Sequence, residues 1–160
     1  EQGPVLKTER VTLRLPKISH AQGILNFYIE NKEFLTPYDP LTPDGFYTIE
    51  YWKDTIHRYW NAWLERRELR FIIQLNDQNE TIGMVNFSQM ERGPFQCCRL
   101  GYKLGEKYNG QGLMTEALNV AIKYVFEELN FHRIEAKYIP SNEKSGDVLK
   151  RCNFKIEGLA

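Results

Sequence analysis

Across the 160 residues no stretch of about 18 apolar residues occurs, so no segment reads as a membrane-spanning helix. An excess of charge is missing too. The 21 Lys and Arg balance 21 Asp and Glu, which argues against the basic footprint that grips nucleic-acid phosphates. Cysteine is scarce: Cys97, Cys98 and Cys152 are an odd number, and two of them are adjacent, with side chains on opposite faces of any strand. A disulfide framework is excluded, and free thiols in a reducing, cytoplasmic setting are expected. The histidines His20, His57 and His132 are scattered without a Cys or His at ligand spacing, so no metal site is expected. Repeats, linkers and low-complexity segments are also wanting. What remains is 42% hydrophobic, 13% aromatic and 26% charged residues, the mixture of one soluble globular domain. Neither a membrane nor a nucleic acid is expected as a direct partner.

The order of elements follows from periodicity. Residues 11–15 alternate and stop at Pro16, which predicts a first strand. Ser19 is placed to cap a short amphipathic helix over 20–30, whose apolar side carries Ile24, Leu25, Phe27 and Tyr28. Residues 31–45 hold Pro37, Pro40, Pro43 and Gly45 beside Phe34, Leu35 and Tyr38, and read as a loop that exposes aromatics. A long helix is predicted over 47–64, with Trp52, Trp60 and Trp63 at core spacing. Three strands over 69–75, 81–88 and 97–104 then form an antiparallel meander. The strongest helical pattern covers 112–129, with Leu113, Ala117, Val120, Ala121 and Val125 on one face and Asn130 as its stop. A strand over 132–139, a helix over 142–151 and a strand from Phe154 complete the chain. Strands before and after the 112–129 helix pair in parallel through a crossover, giving a mixed α/β sheet.

The informative stretch is Asn109-Gly110-Gln111-Gly112-Leu113-Met114, between a strand and the strongest helix. Glycines let the backbone approach a bound group, and the first N–H groups of a helix point outward from its positive end, so the turn suits a pyrophosphate. It lacks the Gly-Lys-Ser/Thr of a P-loop and the third glycine of a dinucleotide fingerprint. A plain tight turn is the competing reading of Gly-x-Gly taken alone.

Leu100-Gly101-Tyr102-Lys103-Leu104, followed by Asn109 through Met114 and Thr115-Glu116-Ala117, resembles the acetyl-CoA motif of GNAT-type N-acetyltransferases. Further matching positions are His132-Arg133-Ile134, Asn142 with Ser145, Asn153-Phe154 and Glu157-Gly158. Within that superfamily the chain is similar to the Rim group, through Phe34-Leu35 with Pro37, Gly83, Asn86-Phe87-Ser88 and Ser145-Gly146-Asp147. Two positions depart from the general pattern. Asn109 stands where Gln or Arg is usual, and Leu149 replaces a Tyr that protonates the leaving thiolate in many members.

The resemblance implies a single GNAT domain over residues 5–160. It implies an α/β fold with a mixed, mostly antiparallel sheet, helices on both faces and a parallel strand pair at the acetyl-CoA site. The family's final strand is expected to be missing after residue 160. Acetyl-CoA is implied as co-substrate, held by Tyr102, Lys103, Leu104, Asn109, Gly110, Gln111, Gly112, Leu113, Met114, Thr115 and Asn142. In the thiolate role the resemblance puts Ser145, and a backbone N–H where the strand ending at Leu104 splays from its neighbour is placed to hold the oxyanion. A first-turn serine that only supports a helix cap is the competing reading of Ser145. Candidates to line the acceptor groove are Phe34, Leu35 and Tyr38, with Phe87 and Ser88, although core packing competes for Phe87. Glu91 and Glu106 lie near strand ends as candidate bases, with solvated surface charge as the plainer account, and the same holds for Lys144, Lys150 and Arg151 as contacts to a phosphate. The implied acceptor is a protein N-terminus, the alanine of a small-subunit ribosomal protein, and the implied state is a monomer or weak dimer. Two readings stay open beside it: the same chemistry on another protein or small-molecule amine, and an acyl-CoA-binding module without turnover.

Overall fold

A computed structural model of the chain describes residues 3–37, 42–137 and 143–158. Strands β1 (Val5–Lys7), β2 (Val11–Arg14), β3 (Leu69–Leu75), β4 (Gly83–Glu91), β5 (Cys97–Leu104) and β6 (Arg133–Ala136) form one sheet in chain order. Neighbours from β1 to β5 are antiparallel, and β5 pairs with β6 in parallel. The helices are α1 (Ala21–Glu30), the single turn α2 (Lys32–Leu35), α3 (Ile49–Leu64), α4 (Leu113–Glu127) and α5 (Glu143–Arg151).

Alternation along the strands divides the apolar residues between two cores, one on each face of the sheet. Leu13, Phe71, Val85, Phe87 and Leu100 meet Leu113, Ala117, Leu118, Ala121 and Val125 of α4 and Leu149 of α5. On the opposite face Ile72 and Met84 are covered by Ile24, Phe27 and Tyr28 of α1 and by Trp52 and Ile56 of α3. Helices therefore pack on both faces. Tyr28 stacks on Trp52 with ring centroids 5.0 Å apart, and Trp60 donates its indole N–H to the Pro16 carbonyl at 2.7 Å. Cys98 is buried in the α4 core, which pushes its thiol up to about 12.

Several boundaries differ from the periodicity reading, each for a local reason. Strand β1 pairs with β2 although only three residues carry it. Ser19 does not cap α1: it sits inside a 3-10 turn, Ile18–His20, that runs directly into the helix, and the His20 imidazole accepts from the Lys17 N–H at 2.8 Å. Residues 31–35 are not an exposed loop, because α2 folds there and tucks Leu35 into the α1–α3 core. Residues 154–158 pair with no strand among the described residues; after Asn153 turns the chain at φ +67°, Phe154 packs against the α4 core instead.

Candidate active site

Strand β5 has different partners along its two edges. Toward β4 it is paired from Arg99 to Leu104 and, past a bulge, at Cys97, but toward β6 only from Cys97 to Leu100, where the partner strand ends at Ala136. Residues 101–104 thus present backbone groups of alternate residues to a gap with no strand partner among the described residues. Within this segment Tyr102 and Leu104 belong to the α4 face, whereas the Lys103 ammonium lies 5.0 Å over the Tyr28 ring on the other.

The chain leaves β5 through a 3-10 turn, Glu106–Tyr108, and enters α4 through the glycine turn. Gly110 and Gly112 adopt φ +81° and +77°, left-handed values that a side chain strains against. Gly112 caps α4 without any side-chain hydrogen bond, so the outward N–H groups of the first turn keep their donor capacity at the positive end of the helix. A set of hydrogen bonds fixes this turn. Arg10 donates from Nη1 to the Gln111 carbonyl at 2.9 Å and from Nε to Glu116 at 2.7 Å, while its backbone N–H reaches the other Glu116 oxygen at 2.9 Å. Thr8 donates its hydroxyl to that same oxygen. Burial alone would raise the Glu116 pKa, yet the hydrogen bonds from Thr8 and Arg10 outweigh it and hold the carboxyl below its usual range. Asn31, buried at the end of α1, accepts from the Glu106 N–H at 2.9 Å and donates to the Phe27 carbonyl at 2.9 Å. Asn109 donates to the Gly105 carbonyl at 3.2 Å, which shapes the turn from within.

Ser145 reaches the gap from α5. Its hydroxyl lies 2.8 Å from the Tyr102 phenol, which also contacts the Ser145 carbonyl at 2.9 Å. The carbonyl can only accept, so the phenol donates to it, and the two contacts together hold Ser145 against Tyr102. Leu149, one helical turn beyond, is 5% exposed and wholly engaged in the core.

Structure and sequence agree unevenly on the named positions. Tyr102, Lys103 and Leu104 flank the gap, and Asn109 to Thr115 form the turn and the start of α4. Phe34 and Leu35 pack on the α1–α3 side, and Ser88 shares a sheet face with Met84 there. Phe87, a candidate for the acceptor groove, instead points to the face opposite Ser88 and is 0% exposed in the α4 core, as strand alternation requires. Glu91 is exposed beyond a bulge in β4, and Glu106 is exposed beside the turn. Tyr38 and Asn142 lie outside the described residues. The contributions of Arg10, Glu116 and Asn31 are additions of the structure. An acidic residue in the first turn of the helix after the glycines was the available signal for Glu116.

The arrangement offers an anion cradle at a helix start, an open strand edge rich in N–H donors and a hydroxyl pair, all on one side of β5. No group of three or more His, Cys, Asp or Glu close enough to hold a metal ion occurs among the described residues, and no described helix is long and apolar enough to cross a membrane.

Known proteins share this architecture. The family described as acetyltransferase (GNAT) domain matches residues 10–155. The Escherichia coli ribosomal protein uS5-alanine N-acetyltransferase, the enzyme RimJ, is 37% identical over 97% of this chain and 80% of its own length. The crystal structure of the S5-alanine acetyltransferase from Vibrio fischeri superposes with a TM-score of 0.92 at 35% identity, covering 98% of this chain and 85% of that one. RimJ of Mycobacterium smegmatis, solved with a CoA disulfide, shares the fold at a TM-score of 0.87 and 24% identity, over 98% of this chain and 76% of that one. With a family model matching most of its length and a 37% identical relative, this chain belongs to the GNAT acetyltransferase family.

Proposed function

We propose that the chain transfers an acetyl group from acetyl-CoA to the α-amine of a protein N-terminus, the N-terminal alanine of a small-subunit ribosomal protein. The observation that carries this reading is the Tyr102–Ser145 hydroxyl pair set beside the open edge of β5, with the glycine turn at the end of the same strand. The acceptor follows from kinship with the uS5-alanine enzymes of Escherichia coli and Vibrio fischeri.

In this reading the N–H groups of Gly110 to Thr115 bind the CoA pyrophosphate, as a helix start with a left-handed glycine cap is suited to do. Acetyl-CoA supplies an activated acyl group as a thioester. A backbone N–H at the free edge near Leu104 donates to the acetyl oxygen as charge builds there, and Ser145 donates to the departing sulfur. Tyr102 acts through Ser145: its phenol donates to the Ser145 carbonyl and lies 2.8 Å from the serine hydroxyl, which positions the serine side chain toward the sulfur. An α-amine with a pKa near 7.7–8.0 is neutral in roughly one molecule in six at pH 7, against about one in 2,500 for an ordinary lysine. The acceptor therefore needs little help to become a nucleophile, in keeping with a site that presents no central carboxylate among the described residues.

Thiol release from acetyl-CoA tests the reading with two peptides: one with a free N-terminal alanine from that ribosomal protein, the other blocked at its N-terminus and rich in lysine. Turnover on the first alone is expected. Turnover on the lysine peptide alone, or silence on both, rejects it.

A further inference from the structure

A cavity of about 450 Å³ lies between α3 and β3, on the sheet face that α1 and α3 cover, and among its walls are Tyr51, Arg58, Tyr59, Arg67, Glu68 and Arg70. Three guanidinium groups thus face one carboxylate. Arg70 is paired with Glu68 at 2.8 Å, and Arg67 is paired with Glu65 at 2.6 Å. Arg58 has only a hydroxyl, Thr55 at 2.7 Å, and the Tyr51 ring, with no carboxylate partner among the described residues.

A track leads from the open edge of β5 to this cavity. Gly101, Asn86 and Arg70 stand directly opposite one another on β5, β4 and β3, on the sheet face of Met84 and Ile72. Gly101 is exposed although it lies in a central strand, and a Cβ built on it meets nothing within 4 Å. Two strand spacings come to about 10 Å, and an extended chain advances about 3.3 Å per residue. A peptide whose amine sits at the gap therefore brings its third or fourth residue to Arg70, in the wall of the cavity that Arg58 also lines.

We infer that this cavity is a specificity subsite for an acidic side chain at the third or fourth residue of the acceptor, with Arg58 as its principal anchor. The inference rests on the proposed acetylation of a protein N-terminus. A guanidinium presents a planar fork that matches a carboxylate, and the fork of Arg58 is the uncompensated one. Tyr59 adds a hydroxyl that stays protonated, because burial pushes its pKa up to about 12. Arg99 lies two residues from Gly101 on the same face, and its buried Nε has no hydrogen-bond partner, which adds positive potential along the track.

The test uses peptides that begin with a free alanine and carry either Glu or Gln at both the third and fourth residues. Each is titrated calorimetrically into the full chain saturated with CoA, and each is turned over separately with acetyl-CoA. The Glu peptide is expected to bind about tenfold more tightly, the scale of one charge-assisted contact. Arg58→Gln is expected to bring the ratio near one, and Arg58→Glu to reverse it in favour of a Lys peptide. Equal binding of the Glu and Gln peptides by the unaltered chain overturns the subsite, whatever the variants do, and so does a preference that survives in Arg58→Gln. Because binding is read apart from turnover, a Glu preference without acetyl transfer supports the subsite and rejects the proposed reaction. Transfer without a preference does the reverse.

Discussion

Tyr102 and Ser145, 43 residues apart in the chain, meet hydroxyl to hydroxyl at 2.8 Å across the foot of the gap between β5 and β6. A strand and a helix from different parts of the chain are thereby joined by one pair of hydrogen-bonding groups. The contact makes Ser145 more than a helix-start serine, since its orientation is set from the strand that flanks the open edge.

If Ser145 donates to the leaving sulfur, Ser145→Ala lowers kcat by about 10²-fold while the acetyl-CoA dissociation constant stays close to that of the unaltered chain. Tyr102→Phe keeps the ring in the core and removes only the hydroxyl, so it costs kcat about tenfold and also leaves binding near its original value. Steady-state kinetics with calorimetric CoA titration checks both. Unaltered kcat in Ser145→Ala removes the serine from the mechanism.

Gly112→Ala places a Cβ at φ +77° and 3.4 Å from the Arg10 guanidinium, strain of roughly 1–2 kcal/mol at the cap. The turn relaxes away from the geometry that aims its N–H groups, and CoA affinity is expected to drop more than tenfold with a smaller loss of thermal stability. Calorimetry and a melting curve separate the two effects.

Glu116 has a folded-state pKa below its unfolded value. Its contribution to stability is therefore fully present above the unfolded pKa, near 4.5, and is lost as pH falls through the depressed folded value. Glu116→Gln is expected to melt roughly 2–4 °C lower at pH 7, for an interaction of about 1 kcal/mol. The gap between the two melting curves closes as pH is taken below 4.5. A gap that stays constant to pH 3 refutes this contribution of the Glu116 carboxylate.

Phe87→Ala empties a site that is 0% exposed and costs about 3–5 kcal/mol of stability. Substrate preference does not change in what remains folded. Urea unfolding and the peptide pair described above distinguish this outcome from a groove role.

Features carried by local pattern were legible in the sequence. The apolar period of residues 113–125, bounded by Gly112 and Asn130, specified α4, and the strands on either side of it implied the parallel pair that β5 and β6 form. The glycine turn was legible for the same reason. Features that depend on pairing at a distance were not. Val5–Lys7 is a strand only because β2 is there to pair with it, and its own residues are mostly exposed. Phe87 and Ser88 are adjacent and of opposite fate, and only the register against β5 decides which faces the groove. Arg10 and Glu116 are 106 residues apart, so no local spacing couples them.

The gap also divides the protein by how firmly its parts are held. β4 and β5 share seven paired positions, whereas β6 is joined to the sheet by four; the ion pairs of Arg133 with Glu135 and Glu157 lie within β6 and between β6 and the C-terminal segment. Amide hydrogens on β6 therefore exchange with solvent through a smaller opening than those on β3 and β4, and the sheet behaves as a large cooperative unit with a lesser one clipped to it. A ligand that touches both sides of the gap fastens the lesser unit to the larger, and its binding shows first as slowed exchange along β6.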